Sequence, residues 1–258
     1  MDAALWFSLL VGAVFGKRFR EARARDEKIQ TVARTLRILS IALITAGLVL
    51  FVEVAVTLLY KEPLSSVYAN IQQNQAENQL SETEAQYLGR ADRRAIARLH
   101  SRKRRITTLA RRFGTKAEEG EAIGRMRVPS MDGLETIVVQ GTDTASLMIG
   151  PGHFPETRFP GEGGTVGIAG HRTTYGAPFR HADSVERGDR IVLEMPYATF
   201  VYRVQKTAIV DPTNVGVVRD VGYERLVLTS CHPLYSAAQR LIVFAKAVRE
   251  RLDRRARS

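Results

Sequence analysis

The longest apolar run in the chain lies near its N-terminus, at residues 38–60. Its 23 positions, ILSIALITAGLVLFVEVAVTLLY, carry Glu53 as their single charge. Because an α-helix rises 1.5 Å per residue, this run can cross a hydrocarbon core about 30 Å thick. The pattern therefore predicts a transmembrane helix at 38–60. An earlier apolar run at 3–16 is short for a span, and it fits either a short first span or an interfacial segment.

The N-terminal flank of this predicted span is strongly basic. Its cationic residues are Lys17, Arg18, Arg20, Arg23, Arg25, Lys28, Arg34 and Arg37. Cytoplasmic flanks of membrane spans carry an excess of Lys and Arg, so residues 17–37 are expected inside the cell and everything beyond residue 60 outside. We therefore expect residues 1–37 to form an N-terminal apolar segment and a basic cytoplasmic region.

Residues 61–120 alternate apolar and charged positions at roughly helical spacing. Ser81 and Glu84 form a possible capping box, and Gly114 is a plausible stop. The periodic apolar residues are Leu80, Tyr87, Leu88, Ile96, Leu99, Ile106 and Leu109. The segment is predicted to be a charged helical stalk. Two interpretations stay open: a helix resting on anionic lipid or wall polymer, and a solvated spacer.

From about residue 121 the pattern changes to short apolar runs separated by Gly, Pro and Asp turns. Seven runs have strand length: IGRMRV, LETIVVQ, GTVGIAG, DRIVLEM, TFVYRVQKTAIV, ERLVLTS and LIVFAKAV. Such a series is typical of an antiparallel barrel or sandwich, and the pattern alone does not choose between them. We expect a β domain over residues 121–250 and a basic tail over 251–258.

The net positive charge of the chain indicates an anionic binding partner. The 258 residues carry a formal net charge of +11, concentrated in residues 17–37, 90–112 and 248–256. This suits a phospholipid surface, a wall polyanion or a nucleic acid, and the predicted extracellular location disfavours nucleic acid. We expect no cofactor, because metal-ligand spacing and phosphate loops are lacking. Stimulation by calcium stays an alternative, because acidic loop residues such as Glu162 and Asp183 are present.

The one cysteine of the chain, Cys231, closes the strand-like run ERLVLTS. It is either a reactive thiol or an inert buried residue. His171 ends another strand-like run just after Gly170, whose missing side chain allows close approach of another group. Two strand ends could bring the two residues to the same rim. Arg240, nine residues after Cys231, could stabilise an oxyanion on a substrate carbonyl.

These residues carry a resemblance to a known family. LVLTSC at 226–231, with Arg240 downstream, resembles the TLxTC…R signature of sortases, and GIAGHR at 167–172 resembles their histidine motif. The flanking text over roughly residues 121–248 is similar to class E sortases of high-GC Gram-positive bacteria. Val227 and Ser230 depart from the two threonines of the signature, and Ser230 keeps the hydroxyl.

The resemblance implies a closed eight-stranded β-barrel and a cysteine transpeptidase. Cys231 would attack the Thr–Gly bond of an LPxTG- or LAxTG-like sorting signal on a secreted protein and form a thioester. His171 would move protons, and Arg240 would hold the carbonyl or oxyanion. The acceptor would be an amine of a cell-wall precursor or a pilin. We expect Thr229, Ser230 and His232, which flank the nucleophile, to contact substrate.

Three other functions fit parts of the same pattern. L,D-transpeptidases also use Cys, His and Arg, but their arginine lies two residues after the cysteine, which disfavours them here. A cysteine protease would use the same pair with water as the acceptor. From a different class, a membrane-anchored binding module for wall polyanions would leave Cys231 inert.

Overall fold

A computed structural model of the chain describes residues 3–59, 63–87 and 90–253. The chain divides into two compact units, residues 1–56 and 57–258. The first unit consists mainly of helix α1, which runs over Ala3–Leu59 and continues into the start of the second. The end of the predicted basic tail, residues 254–258, lies outside the described residues.

Helix α1 contains the apolar run that the sequence indicated. Gln30–Val56, 27 residues near the N-terminus, is by length and composition able to cross a membrane, and within the described residues it is the one helix that meets this test. It overlaps the predicted span at 38–60. Its apolar side chains are exposed, with Ile44 and Phe51 each at 70%.

The second unit is built around a closed eight-stranded β-barrel, which confirms the predicted fold. Around the barrel the strands follow the order β1-β2-β3-β4-β7-β8-β6-β5. Their bounds are β1 Ala122–Val128, β2 Leu134–Gln140, β3 Gly152–His153, β4 Thr165–Ala169, β5 Arg190–Glu194, β6 Ala198–Val210, β7 Arg225–His232 and β8 Gln239–Leu252. The β2–β3 and β4–β7 pairs are parallel, and the other pairs are antiparallel.

Two short elements of the second unit carry no clear signal in the sequence. Strand β3 has two residues, too few to show an alternating pattern. A short helix over Thr144–Ile149 also lies where no helix was predicted. Its N-cap is Asp143, whose carboxylate accepts hydrogen bonds from the N–H groups of Ala145 and Ser146 at 2.8 and 3.2 Å.

The helices that follow α1 in the second unit are α2 over Pro63–Gln86, α3 over Arg90–Ala97 and α4 over Arg102–Gly114. Helix α2 is attached to the barrel by its glutamines. The side chain of Gln73 accepts from the N–H of Ile137 at 2.7 Å and donates to the carbonyl of Ile149 at 2.9 Å. Gln79 accepts from the N–H of Ala122 at 3.0 Å.

Helix α4 is part of the barrel's hydrophobic core, so the solvated-spacer interpretation is wrong for this helix. Ile106, Leu109 and Phe113 are buried and belong to the same cluster as barrel residues such as Phe200. Their spacing of three and four residues puts them on one helix face. The arginines between them occupy the other positions of the helix.

Candidate active site

Strands β7 and β8 bring Cys231 and Arg240 together. The two residues are direct partners in this antiparallel pair, with Cys231 near the end of β7 and Arg240 near the start of β8. Side chains of opposed residues lie on the same face of a sheet, with Cβ atoms about 4.5–5.5 Å apart. The cross-strand register therefore sets a guanidinium beside the thiol.

Strand β4 brings His171 to the same rim. It runs parallel to β7, with Ala169 opposite Thr229, and the N–H of Gly170 donates to the carbonyl of Thr229 at 3.0 Å. Continuing this register by two residues places His171 level with Cys231. Gly170 is required for close approach, because a Cβ there would lie 2.7 Å from the ring of Phe179.

One cleft with a volume of about 600 Å³ contains all three predicted catalytic residues. Cys231 is a free, half-buried cysteine, and His171 and Arg240 are half-buried as well. Much of the remaining wall is apolar, contributed by Leu147, Phe154, Val210, Pro212, Val215, Val217, Val218 and Ile242. The cleft can therefore accept an apolar chain segment and present one of its carbonyl groups to the thiol.

The surroundings of His171 favour its neutral form. Burial lowers the pKa of this imidazole below its ordinary value of 6.5, because desolvation penalises the charged ring. The ring of Tyr175 packs against it, with centroids 5.1 Å apart and planes inclined by 45°. A neutral imidazole can accept a proton from a thiol or an amine.

The side chain of Arg240 is held by its own loop. Nη1 donates to the carbonyls of Ala237 and Gln239 at 2.9 and 3.0 Å. Within the described residues these are the hydrogen bonds of this side chain, so Nε and Nη2 are available to a substrate oxygen. A guanidinium fixed in this way is a preorganised donor.

Comparisons with known proteins agree with this geometry. The family profile described as the Sortase domain matches residues 126–248. Sortase D of Bacillus subtilis (strain 168) is 34% identical over 137 residues, which cover 52% of this chain and 67% of that protein. The chain belongs to the sortase family. Sortases are cysteine transpeptidases, and the chain is accordingly an enzyme of this type.

Two further relatives extend the comparison. Sortase SrtE1 of Streptomyces coelicolor (strain ATCC BAA-471 / A3(2) / M145) is 29% identical over 247 residues, which cover 90% of this sortase and 62% of that protein. This confirms the likeness to class E. The solved structure of SrtF sortase from Corynebacterium diphtheriae has a TM-score of 0.51 and 29% identity, covering 54% of this chain and 90% of that one.

The three residues expected to contact substrate differ in position. Thr229 and Ser230 line the cleft of the sortase. Ser230 is 4% exposed, and its hydroxyl oxygen has no hydrogen-bond partner among the described residues. His232 is not among the residues that line the cleft. Its Nδ1 lies 2.9 Å from Nη1 of Arg172 instead.

Sequence reasoning missed Arg172, the residue directly after His171. Its side chain is 2% exposed, and its guanidinium reaches the end of β7. The available signal was an arginine two residues after the mainly apolar, glycine-rich run GTVGIAG. Phe154 and the 3₁₀ helix Val215–Val218, which also line the cleft, were missed too.

The acidic residues considered for calcium are engaged with arginines. Oδ2 of Asp183 lies 2.8 Å from Nη2 of Arg172, and Oε2 of Glu162 lies 3.7 Å from Nη1 of Arg158. In the part of the chain that the structure describes, no group of three or more His, Cys, Asp or Glu side chains could hold a metal ion.

Proposed function

We propose that this sortase cleaves an LPxTG- or LAxTG-like sorting signal between Thr and Gly, and joins the released carboxyl group to an amine of a cell-wall precursor or a pilin. The observation that carries the proposal is the meeting of Cys231, His171 and Arg240 in one cleft. A thiol, an imidazole and a fixed cation are the groups that acyl transfer from an amide requires.

In the first half-reaction, the thiolate of Cys231 attacks the carbonyl carbon of the signal's Thr. Nε and Nη2 of Arg240 donate hydrogen bonds to the oxygen, which becomes negative in the tetrahedral intermediate. The C–N bond to Gly then breaks, and His171, having taken the thiol's proton, donates it to the leaving amine. A thioester between Cys231 and Thr remains.

In the second half-reaction, an acceptor amine attacks the thioester carbonyl. His171 takes a proton from the attacking nitrogen, while Arg240 again stabilises the oxyanion. The C–S bond breaks, a new amide forms, and the sulfur recovers its proton. The groups return to their starting protonation states, so the cycle requires no further reactant.

The walls of the cleft support a signal with small and branched apolar residues. The valines of the 3₁₀ helix Val215–Val218, together with Pro212, Phe154 and Leu147, form the apolar part of the cleft wall. The leucine, and the proline or alanine, of the signal would pack there. The buried hydroxyl of Ser230, which has no partner among the described residues, would hydrogen-bond to the bound peptide, and Thr229 would line its path.

We also propose that the catalytic domain, residues 121–250, lies outside the cell on a membrane anchor. The exposed apolar side chains of Gln30–Val56 suit a lipid environment. The basic residues between 17 and 37 suit the cytoplasmic side. A catalytic domain held in this way faces secreted proteins as they leave the same membrane.

Product analysis tests the proposed function. The full chain in detergent is incubated with LPxTG and LAxTG peptides, with and without a glycine-based or diamino acid amine. We expect cleavage at Thr–Gly and, with amine present, a ligated product in place of the free acid. Free acid as the sole product at every amine concentration would identify a protease, and the absence of cleavage of both peptides would refute the proposed signal.

A further inference from the structure

A buried arginine ties the histidine's strand to the nucleophile's strand. Arg172 follows His171 in the chain, and its Nη1 lies 2.9 Å from Nδ1 of His232 and 3.5 Å from the carbonyl oxygen of Cys231. The backbone ladder between β4 and β7 reaches only to Ala169 and Thr229, with one more hydrogen bond from Gly170. Beyond that bond, the guanidinium of Arg172 links the two strand ends.

The other donors of this guanidinium are also bound. Nη2 pairs with Oδ2 of Asp183 at 2.8 Å, and Nε donates to the carbonyl of Arg180 at 3.3 Å. A guanidinium that is 2% exposed would be costly to bury without such partners. Because each donor group has a defined acceptor, the side chain has one orientation, and the planar fork of an arginine is suited to it.

We propose that Arg172 is a positioning residue that sets the distance between the imidazole of His171 and the sulfur of Cys231. Arg172 is joined to His171 by a peptide bond, and its side chain donates a hydrogen bond to the carbonyl of Cys231. Loss of the guanidinium frees the end of β7 to shift relative to the histidine. Misplacement of reacting groups by about 1 Å lowers the rate of a positioned reaction about 100-fold.

The proposal predicts a change in kcat rather than in substrate affinity. Arg172 is absent from the residues that line the cleft, so its removal leaves the substrate's contacts in place. The turnover assay for this positioning role rests on the proposed function. A second readout does not, because Cys231 is the single thiol of the chain, and its alkylation by iodoacetamide reports the sulfur's environment directly.

The experiment uses the full chain in detergent, with Arg172→Met, Arg172→Lys and Asp183→Asn. The matched control is Arg187→Met, an exposed arginine. We expect kcat for the sorting-signal peptide to fall about 100-fold in Arg172→Met and about tenfold in Arg172→Lys, with KM within about threefold. Alkylation should slow about fivefold in Arg172→Met, and Arg187→Met should match the wild type.

Asp183→Asn separates positioning from stability. Asn keeps one oxygen that can accept a hydrogen bond from Nη2, and the carboxylate that it replaces is 58% exposed, so the substitution should shift the melting temperature by no more than about 2 °C. We expect kcat to fall about threefold nevertheless, because an uncharged amide oxygen holds the Nη2 side of the guanidinium less firmly than the carboxylate does.

Two results would overturn the positioning role. One is an Arg172→Met protein whose kcat and alkylation rate stay within twofold of wild type. The other, decisive if Arg172→Met does not fold, is an Asp183→Asn protein whose kcat equals that of wild type. If wild type cleaves neither peptide, the proposed function fails, and the alkylation rates of the same variants still decide the role of Arg172.

Discussion

The pairing of Cys231 with Arg240 is a property of the backbone. The two residues are opposite each other in an antiparallel ladder of eight residue pairs, from Arg225–Lys246 to His232–Gln239. A one-residue slip of this ladder would turn every side chain of the strand to the other face. Because Leu226, Leu228, Val243 and their neighbours must stay in the core, the register holds the guanidinium beside the sulfur.

Removal of this guanidinium should impair the chemical step strongly. We expect Arg240→Ala to lower kcat/KM by about 10²–10³-fold, as loss of one oxyanion donor does in other enzymes. Arg249→Ala is the control, because Arg249 is an exposed arginine of the same strand that does not line the cleft. The measurement is steady-state cleavage of a sorting-signal peptide. A loss of less than about fivefold in Arg240→Ala would exclude the oxyanion role.

The burial of His171 predicts a displaced pH profile. Burial lowers the pKa of its imidazole below 6.5. At pH below that pKa, the imidazole already carries a proton, so the nucleophile cannot form by proton transfer to the ring. The acid limb of kcat/KM should therefore lie below pH 6.5 and report the free enzyme.

A variant next to the ring provides the control for this profile. Tyr175 has a φ of 49° and packs on His171. Tyr175→Asn tolerates this backbone region and removes the aromatic cover, so the acid limb should move up towards pH 6.5. An acid limb at or above pH 6.5 in the wild type would contradict the burial argument.

At the scale of elements, α4 behaves as a component of the barrel. Leu109 is fully buried, and the hydroxyl of Tyr87 donates to its carbonyl at 2.5 Å. The rings of Tyr87 and Phe113 meet edge to face at 5.0 Å. The helix is thus joined to the barrel by apolar contacts and to the end of α2 by a hydrogen bond.

Truncation of this helix's buried face should cost stability. We expect Leu109→Ala to lower the free energy of unfolding by about 2–5 kcal/mol, because it leaves a cavity in the core. Arg104→Ala, at an exposed position of the same helix, should change it by no more than about 0.5 kcal/mol. Urea titration followed by circular dichroism measures both. Equal stabilities for the two variants would mean that α4 is a solvated spacer.

The strands were largely predictable because each is marked by local alternation and bounded by turn residues. LETIVVQ coincides with β2, and TFVYRVQKTAIV misses β6 by its first residue. The packing of α4 was not predictable, since its apolar face fits a spacer helix or a membrane-surface helix equally well. The sequence of a helix reveals which of its faces is apolar, but it does not reveal what covers that face.

For the whole molecule, one buried carboxyl couples stability to pH. Burial raises the pKa of Glu224 to about 7, although Tyr202 donates to it at 2.9 Å, and the charge of Glu250 adds to the rise. A carboxyl whose pKa is higher folded than unfolded contributes stability below its unfolded pKa of about 4.5. That stability is lost as the pH rises through 7.

Glu224→Gln should remove this pH dependence. Relative to wild type, the variant should gain about 3 kcal/mol of unfolding free energy between pH 4 and pH 8. Burial also lowers the pKa of His153 to about 4. The contribution of this histidine to the stability of the protein is therefore lost as the pH falls from 6.5 towards 4. His153 is present in both proteins and cancels in the difference. Parallel pH–stability curves for the two proteins would contradict the assignment.

The closure of the barrel and the burial of Arg172 depend on contacts between distant parts of the chain. Strand β4 pairs with β7, which begins 60 residues further along, at Thr165 opposite Arg225. Local patterns contain no information on such pairs, so barrel and sandwich were equally compatible with them. Arg172 would be assigned to the surface by its charge alone. Its acceptors come from Arg180, from Asp183 and from the end of β7, and only the folded chain brings these together.

The central claim, that the thiol of Cys231 carries the substrate's acyl group, is tested most directly by mass spectrometry of the acid-quenched full chain after incubation with LPxTG and LAxTG peptides. The account predicts an added mass equal to the acyl fragment on the peptide that contains Cys231, its removal by hydroxylamine, and neither adduct nor product with Cys231→Ala. Continued cleavage at Thr–Gly by Cys231→Ala would contradict it.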